Sequence, residues 1–134
     1  TDTEIKLNFE MQLLKLLGIP PNLDNCLQCG GELWQEESGR NPAPKFSVPY
    51  QLDANLGGIR CPKCCIRSPY STSLHPGSLA FFRARQKTLQ SESVIRPTQN
   101  NLKELDQALH VYFRHFFGRN IKSHRILKDN SWKN

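Results

Sequence analysis

Apolar residues recur at helical spacing in three parts of this chain and at strand spacing in one. Ile5, Phe9, Leu13, Leu16 and Leu17 follow a 3.6-residue period, with Leu7, Met11 and Leu14 broadening the apolar face. That breadth predicts a helix buried against the rest of the protein, capped by Thr3 and stopped by Gly18, Pro20 and Pro21. A second helix is predicted from Pro76, with His75 or Ser73 near its cap. Leu79, Phe82 and Leu89 point inward, joined by Phe81 and Ala84. The clearest pattern is Leu102, Leu105, Leu109, Tyr112, Phe113 and Phe116, a third helix ended by Gly118. An aromatic stripe at this spacing reads as core. A further short helix with Ile121 and Leu127 is expected beyond it.

Between the first two helices the period changes. Phe46 to Leu52 alternates apolar and polar side chains as a short strand does, with Pro49 confining it to an edge. Gly57-Gly58 then predicts a turn into Ile59-Arg60-Cys61, a hairpin. Glu36 to Pro44 and Gln90 to Gln99 have the composition of a loop and a linker.

Two C-x2-C pairs stand in this region, Cys26-Leu27-Gln28-Cys29-Gly30-Gly31 and Cys61-Pro62-Lys63-Cys64. Two tight turns, each offering a pair of thiolates, make one closed tetrahedral site for zinc, with no position left for water. One structural Zn2+ held by Cys26, Cys29, Cys61 and Cys64 is therefore expected. Cys65 offers an alternative C-x3-C pairing with Cys61; the commoner spacing favours Cys64 and leaves Cys65 a buried spectator. The competing readings are two disulfides with a free thiol, or a redox dithiol. An odd cysteine count without an N-terminal apolar signal segment points instead to a reducing compartment. The fold expected is mostly α: one helical domain over 1–134, with an inserted four-cysteine zinc module at 26–65 carrying a short β-hairpin.

Composition changes this picture in one respect. The chain of 134 residues is 37% hydrophobic, enough for a modest core, and no apolar run reaches the length of a membrane span. Its net charge of +6 is unevenly distributed: residues 1–58 carry four Lys/Arg against eight Asp/Glu, and residues 59–134 carry fourteen against four. A polyanion is the partner this asymmetry suggests, nucleic acid before anionic lipid. Catalysis is not indicated. His75, His110, His115 and His124 are scattered, and Gly57-Gly58 lacks the Lys-Ser/Thr sequel of a phosphate loop. The start at Thr1, without a Met, reads as the beginning of a fragment.

The order of these segments resembles the C-terminal domain of the RecO family of bacterial recombination mediators. The matching residues are Phe9 to Gly18, Cys26 to Gly30, Gly57 to Cys64, Leu74 to Arg83, and Tyr112-Phe113-Arg114-His115-Phe116-Phe117-Gly118-Arg119 with Lys122-Ser123. The resemblance implies a helical domain with an inserted zinc module, following an N-terminal OB-fold that is not in this sequence. It implies single- and double-stranded DNA, RecR and the acidic tail of single-strand-binding protein as partners, with strand annealing and RecA loading in the full protein. It also implies a place in the bacterial cytoplasm, at the nucleoid, or in an organelle of bacterial ancestry. Phosphate contacts are expected from Arg60, Lys63, Arg67, Arg83, Arg85, Lys87, Arg114, Arg119, Lys122, Arg125 and Lys128. Leu79, Phe82 and Tyr112, beside Arg83 and Arg114, are the expected lining for an acidic, aromatic-ended peptide. A protein-interaction adaptor, or a structural zinc ribbon of a transcription or translation assembly, is the alternative function.

Overall fold

The computed structural model describes residues 2–36, 42–64, 68–88 and 96–118. Helix α1 spans Asp2–Leu16, α2 Pro76–Thr88 and α3 Gln99–Gly118. Between α1 and α2 lie five short strands: β1 (Trp34–Gln35), β2 (Ala43–Pro44), β3 (Tyr50–Asp53), β4 (Gly58–Arg60) and β5 (Ser71–Leu74). β1 and β2 form an antiparallel pair, and the other three form an antiparallel sheet in the order β4-β3-β5. The expectation of a mostly α fold holds in part, since about half of the described residues are helical and two small sheets join three helices. The predicted hairpin is β3–β4, with Leu52 opposite Ile59. Its third strand, β5, carries the polar run Ser71-Thr72-Ser73 and has no apolar alternation by which to be recognised.

One contiguous core joins helices and sheet. Leu52, Ile59 and Leu74 from the strands meet Leu79, Phe81 and Phe82 of α2 and Leu102, Leu105, Leu109 and Tyr112 of α3, all almost fully buried. Buried aromatic and aliphatic side chains of this kind contribute about 1.5–3 kcal/mol each. α1 packs on the same core by a narrower face than its sequence implies. Leu7, Met11 and Leu14 are buried, whereas Ile5, Phe9, Leu16 and Leu17 are 67, 64, 84 and 47% exposed. The apolar residues of α1 thus divide between two faces, and the reading of the whole set as one buried face is corrected.

The ends of α2 and α3 are tied together. Thr98 and Asn101 exchange hydrogen bonds as a capping pair at the start of α3, the Asn101 amide donating to Thr98 Oγ1 at 3.0 Å and the Thr98 amide to Asn101 Oδ1 at 3.0 Å. Glu104 of α3 reaches the start of α2, accepting from the His75 amide at 2.8 Å and from the Ser78 hydroxyl at 2.6 Å, and it also pairs with His75 Nδ1. Burial raises its pKa, but the hydrogen bonds from Ser78 and His75 outweigh that and leave it below the usual 4.5. A depressed carboxylate contributes stability that is complete above the unfolded value and is lost as pH falls through the folded one. Glu104→Gln is therefore expected to cost about 1–2 kcal/mol at pH 7 and to flatten the loss of stability below pH 4.5, as read from urea midpoints across pH.

Candidate metal centre and basic surface

Backbone geometry, more than side-chain packing, builds the cysteine cluster. In the first knuckle the Cys26 amide donates to Gly31 O at 2.9 Å and the Gly30 amide to Cys26 O at 2.8 Å. Gly30 closes this turn at φ 76°, where a side chain is strained. The second knuckle is a single 3-10 turn, Pro62–Cys64, in which the Cys64 amide reaches Cys61 O at 3.0 Å. The two are brought together because the chain around Asn22 runs parallel to β4. Asn22 and Leu27 donate to Gly57 O and Ile59 O, and Ile59 returns a bond to Asn22 O. This approach is so close that a Cβ on Gly58 would lie 2.4 Å from Asn22 O, so only glycine fits there.

Sγ atoms of Cys26, Cys29, Cys61 and Cys64 all lie within 4.8 Å of one another, with Cys29 and Cys61 at 3.9 Å. Four thiolates at about 2.3 Å from a shared zinc ion stand about 3.8 Å apart, so this donor set fits the ion. The surrounding amides fit it as well. Gln28, Cys29 and Cys61 amides point at Cys26 Sγ at 3.4, 3.5 and 3.2 Å, and the Gly31 amide points at Cys29 Sγ at 3.4 Å. Burial pushes the Cys26 thiol up, but those amides prevail and hold it at about 6. The Cys64 thiol moves the other way, pushed to about 12 by desolvation and by the sulfurs around it. Cys26 is held toward its anion and Cys64 away from it, a conflict that a divalent cation relieves. Cys26, Cys29, Cys61 and Cys64 would hold the metal. Bound by four sulfurs, it would cross-link the segment after α1 to β4, holding the fold with no position open for chemistry. Cys65 lies outside the described residues.

The predicted basic residues separate into different environments. Arg60 is not a phosphate contact: its side chain is 7% exposed and Nη1 sits 2.8 Å from Asp53 Oδ2 in the core. Arg85 is likewise held inside, Nη2 bonding Glu4 at 2.6 Å and Nη1 bonding Asn8 at 3.0 Å, over the ring of Phe81. Both sequence expectations are corrected for the same reason, since a guanidinium already paired and desolvated is not available to a polyanion. Arg83 and Lys87 each reach Asp24 at 3.2 and 3.3 Å, and Arg83 also stacks on Trp34. Lys63 is exposed beside Phe46, and Arg114 is exposed on α3. Arg67, Arg119, Lys122, Arg125 and Lys128 lie outside the described residues. The expected peptide pocket is also corrected: Leu79, Phe82 and Tyr112 are 0, 0 and 1% exposed and form core, not an open lining.

Of one exposed surface, the sequence points to Arg114 as a phosphate contact and not to Lys103 or Gln107. Lys103, Gln107, His110 and Arg114 recur at intervals of three and four along the exposed side of α3. Their periodicity was the available signal, but the apolar stripe on the opposite side dominated the reading of this helix.

The model of a protein family described as "Recombination protein O C terminal" matches residues 2–125. The chain belongs to the RecO family. Its relatives include the DNA repair protein RecO of Symbiobacterium thermophilum, 30% identical over 120 residues, which are 89% of this chain and 44% of that protein. RecO of Anaeromyxobacter dehalogenans is 29% identical over 125 residues, 90% of this chain and 43% of its own. RecO of Limosilactobacillus fermentum is 24% identical over 99% of this chain. The chain spans less than half the length of these RecO proteins. No solved structure matches it.

Proposed function

We propose that this chain is a DNA-contacting domain of a recombination mediator acting in DNA repair, a binding element and not a catalyst. The observation that carries the reading is its membership of the RecO family over residues 2–125, its relatives being named DNA repair proteins. The surface of α3 agrees with it. Lys103, His110 and Arg114 line one exposed side, and the sequence beyond Gly118 continues with Arg119, Lys122, Arg125 and Lys128. Cations spaced along a helix and its continuation meet backbone phosphates without reading bases. Lys63, on the second knuckle, extends the same role to the metal module. RecR and the acidic tail of single-strand-binding protein are further partners under this reading, at surfaces other than the buried Leu79, Phe82 and Tyr112.

Lys103→Glu combined with Arg114→Glu is expected to weaken binding of a labelled single-stranded oligonucleotide about tenfold at low salt, measured by fluorescence anisotropy. Arg60→Met, at a buried site, is expected to alter stability and not the slope of affinity against salt. A parent affinity independent of salt would exclude phosphate contact as the principal term.

A further inference from the structure

The basic stripe on α3 ends in an exposed aromatic ring. At 100° per residue, Lys103, Gln107, His110, Arg114 and Phe117 fall within about 80° of arc, and all five are exposed. Phe117, 47% exposed, lies nearly flat on Phe113, with ring centroids 5.6 Å apart and planes 10° from parallel. Phe113 packs in turn against the core. The exposed ring is therefore held by the ring beside it, and its orientation is set before any ligand arrives.

The surroundings of the ring identify the class of ligand. Arg114 stands one turn before Phe117 on the same arc. Lys103 and Arg114 form no ion pair among the described residues. Asp106, the carboxylate of α3 closest to the arc, lies about 20° outside it and is occupied by Lys6 at 2.6 Å. A bilayer would need a row of apolar side chains along this face, and the face has one. A nucleic acid strand matches both features, with phosphates for Lys103 and Arg114 and a base for Phe117. From Lys103 to Phe117 the stripe runs about 21 Å along the helix, the length of about six stacked nucleotides.

We infer that Phe117, seated on Phe113, is a stacking platform for an unpaired DNA base, and that it makes the α3 surface prefer single strands to duplex. The inference rests on the DNA-contacting role proposed above and adds the residue that tells the two forms apart. Cations meet phosphates in either form. The ring needs an open base face, and bases inside a duplex are already stacked on one another.

The test is fluorescence anisotropy of this chain with a labelled mixed-sequence oligonucleotide and with the blunt duplex of the same sequence. The parent is expected to prefer the single strand, and Phe117→Ala to lower that preference about tenfold, within the range that stacking of a base on an aromatic ring supplies. The slope of affinity against salt should not change with it, because no phosphate contact is lost. Phe117→Tyr, which keeps a flat ring, is expected to retain the preference. Tyr70→Ala serves as the control, since this exposed ring packs on His115 and lies off the stripe. Photocrosslinking of a strand carrying iodouracil, read by mass spectrometry, is expected to mark Phe117. An unchanged preference in Phe117→Ala, or equal weakening of both forms, overturns the platform and leaves the phosphate contacts standing. So does a lowered melting temperature of Phe117→Ala with the preference intact, which would assign the ring to a contact within the protein. A parent that binds neither form removes the proposed function, and the platform with it.

Discussion

Purified protein is expected to carry one equivalent of zinc, and Cys61→Ser to lose it together with the cooperative unfolding of the strand region. Structural zinc in small domains is worth an apparent 10–16 kcal/mol or so at neutral pH. A domain of this size is stable by only about 5–15 kcal/mol. Removing one thiolate opens a closed site, and here the loss reaches the core directly, because Cys26 and Cys61 are 1 and 3% exposed and pack among its apolar residues. A chelator is expected to reproduce the effect in the parent, and Cys65→Ser to leave metal content unchanged. Elemental analysis and circular dichroism measure both consequences. α2 and α3 also share Leu79, Phe82, Leu105 and Leu109, so much of the helical signal should survive while the melting transition broadens. A full equivalent of zinc in Cys61→Ser would refute the assignment of the site.

Asp53→Ala is expected to destabilise the protein by about 3–5 kcal/mol, the cost of breaking a buried ion pair by removing one member. The Asp53 carboxylate holds Arg60 at 2.8 Å, accepts the Asn55 and Leu56 amides at 2.9 and 3.2 Å in the β3–β4 turn, and lies 3.4 Å from the Ser68 hydroxyl. One substitution therefore removes the carboxylate paired with the 7% exposed Arg60 and uncaps the β3–β4 turn. Asp53→Leu with Arg60→Met is expected to be less harmful than Asp53→Ala alone, since replacing both members of a buried pair avoids the unpaired charge. Urea midpoints with unchanged slope check both. A cost for Asp53→Ala below about 1 kcal/mol, the worth of an exposed pair, would mean the pair is solvated in solution.

The α3 pattern was legible because Leu102, Leu105, Leu109 and Tyr112 repeat over several turns and tolerate one reading. The β3–β4 hairpin was legible from Gly57-Gly58 between short strands, and the cysteine cluster from its spacing. α1 was misread because periodicity reports that a helix has apolar residues and not how many partners it has. The core uses only Leu7, Met11 and Leu14 of a set that reads as one broad face. Strand β5 was missed because its pairing with β3 is made by backbone groups of Ser71 to Leu74, which leave no hydrophobic signature. Arg60 and Arg85 were misplaced because their pairing partners, Asp53 across the hairpin and Glu4 at the opposite end of the sequence, are defined by strand register and helix packing.

By itself, then, the sequence determined the helical elements, the hairpin, the paired knuckles and the positive charge of the C-terminal part, because each is written in local spacing or composition. Tertiary structure alone decided which cations remain at the surface, which apolar face of α1 is core and which is free, and that the four sulfurs meet. Those outcomes depend on contacts between residues tens of positions apart, where burial changes the meaning of a charge or a leucine without changing its identity.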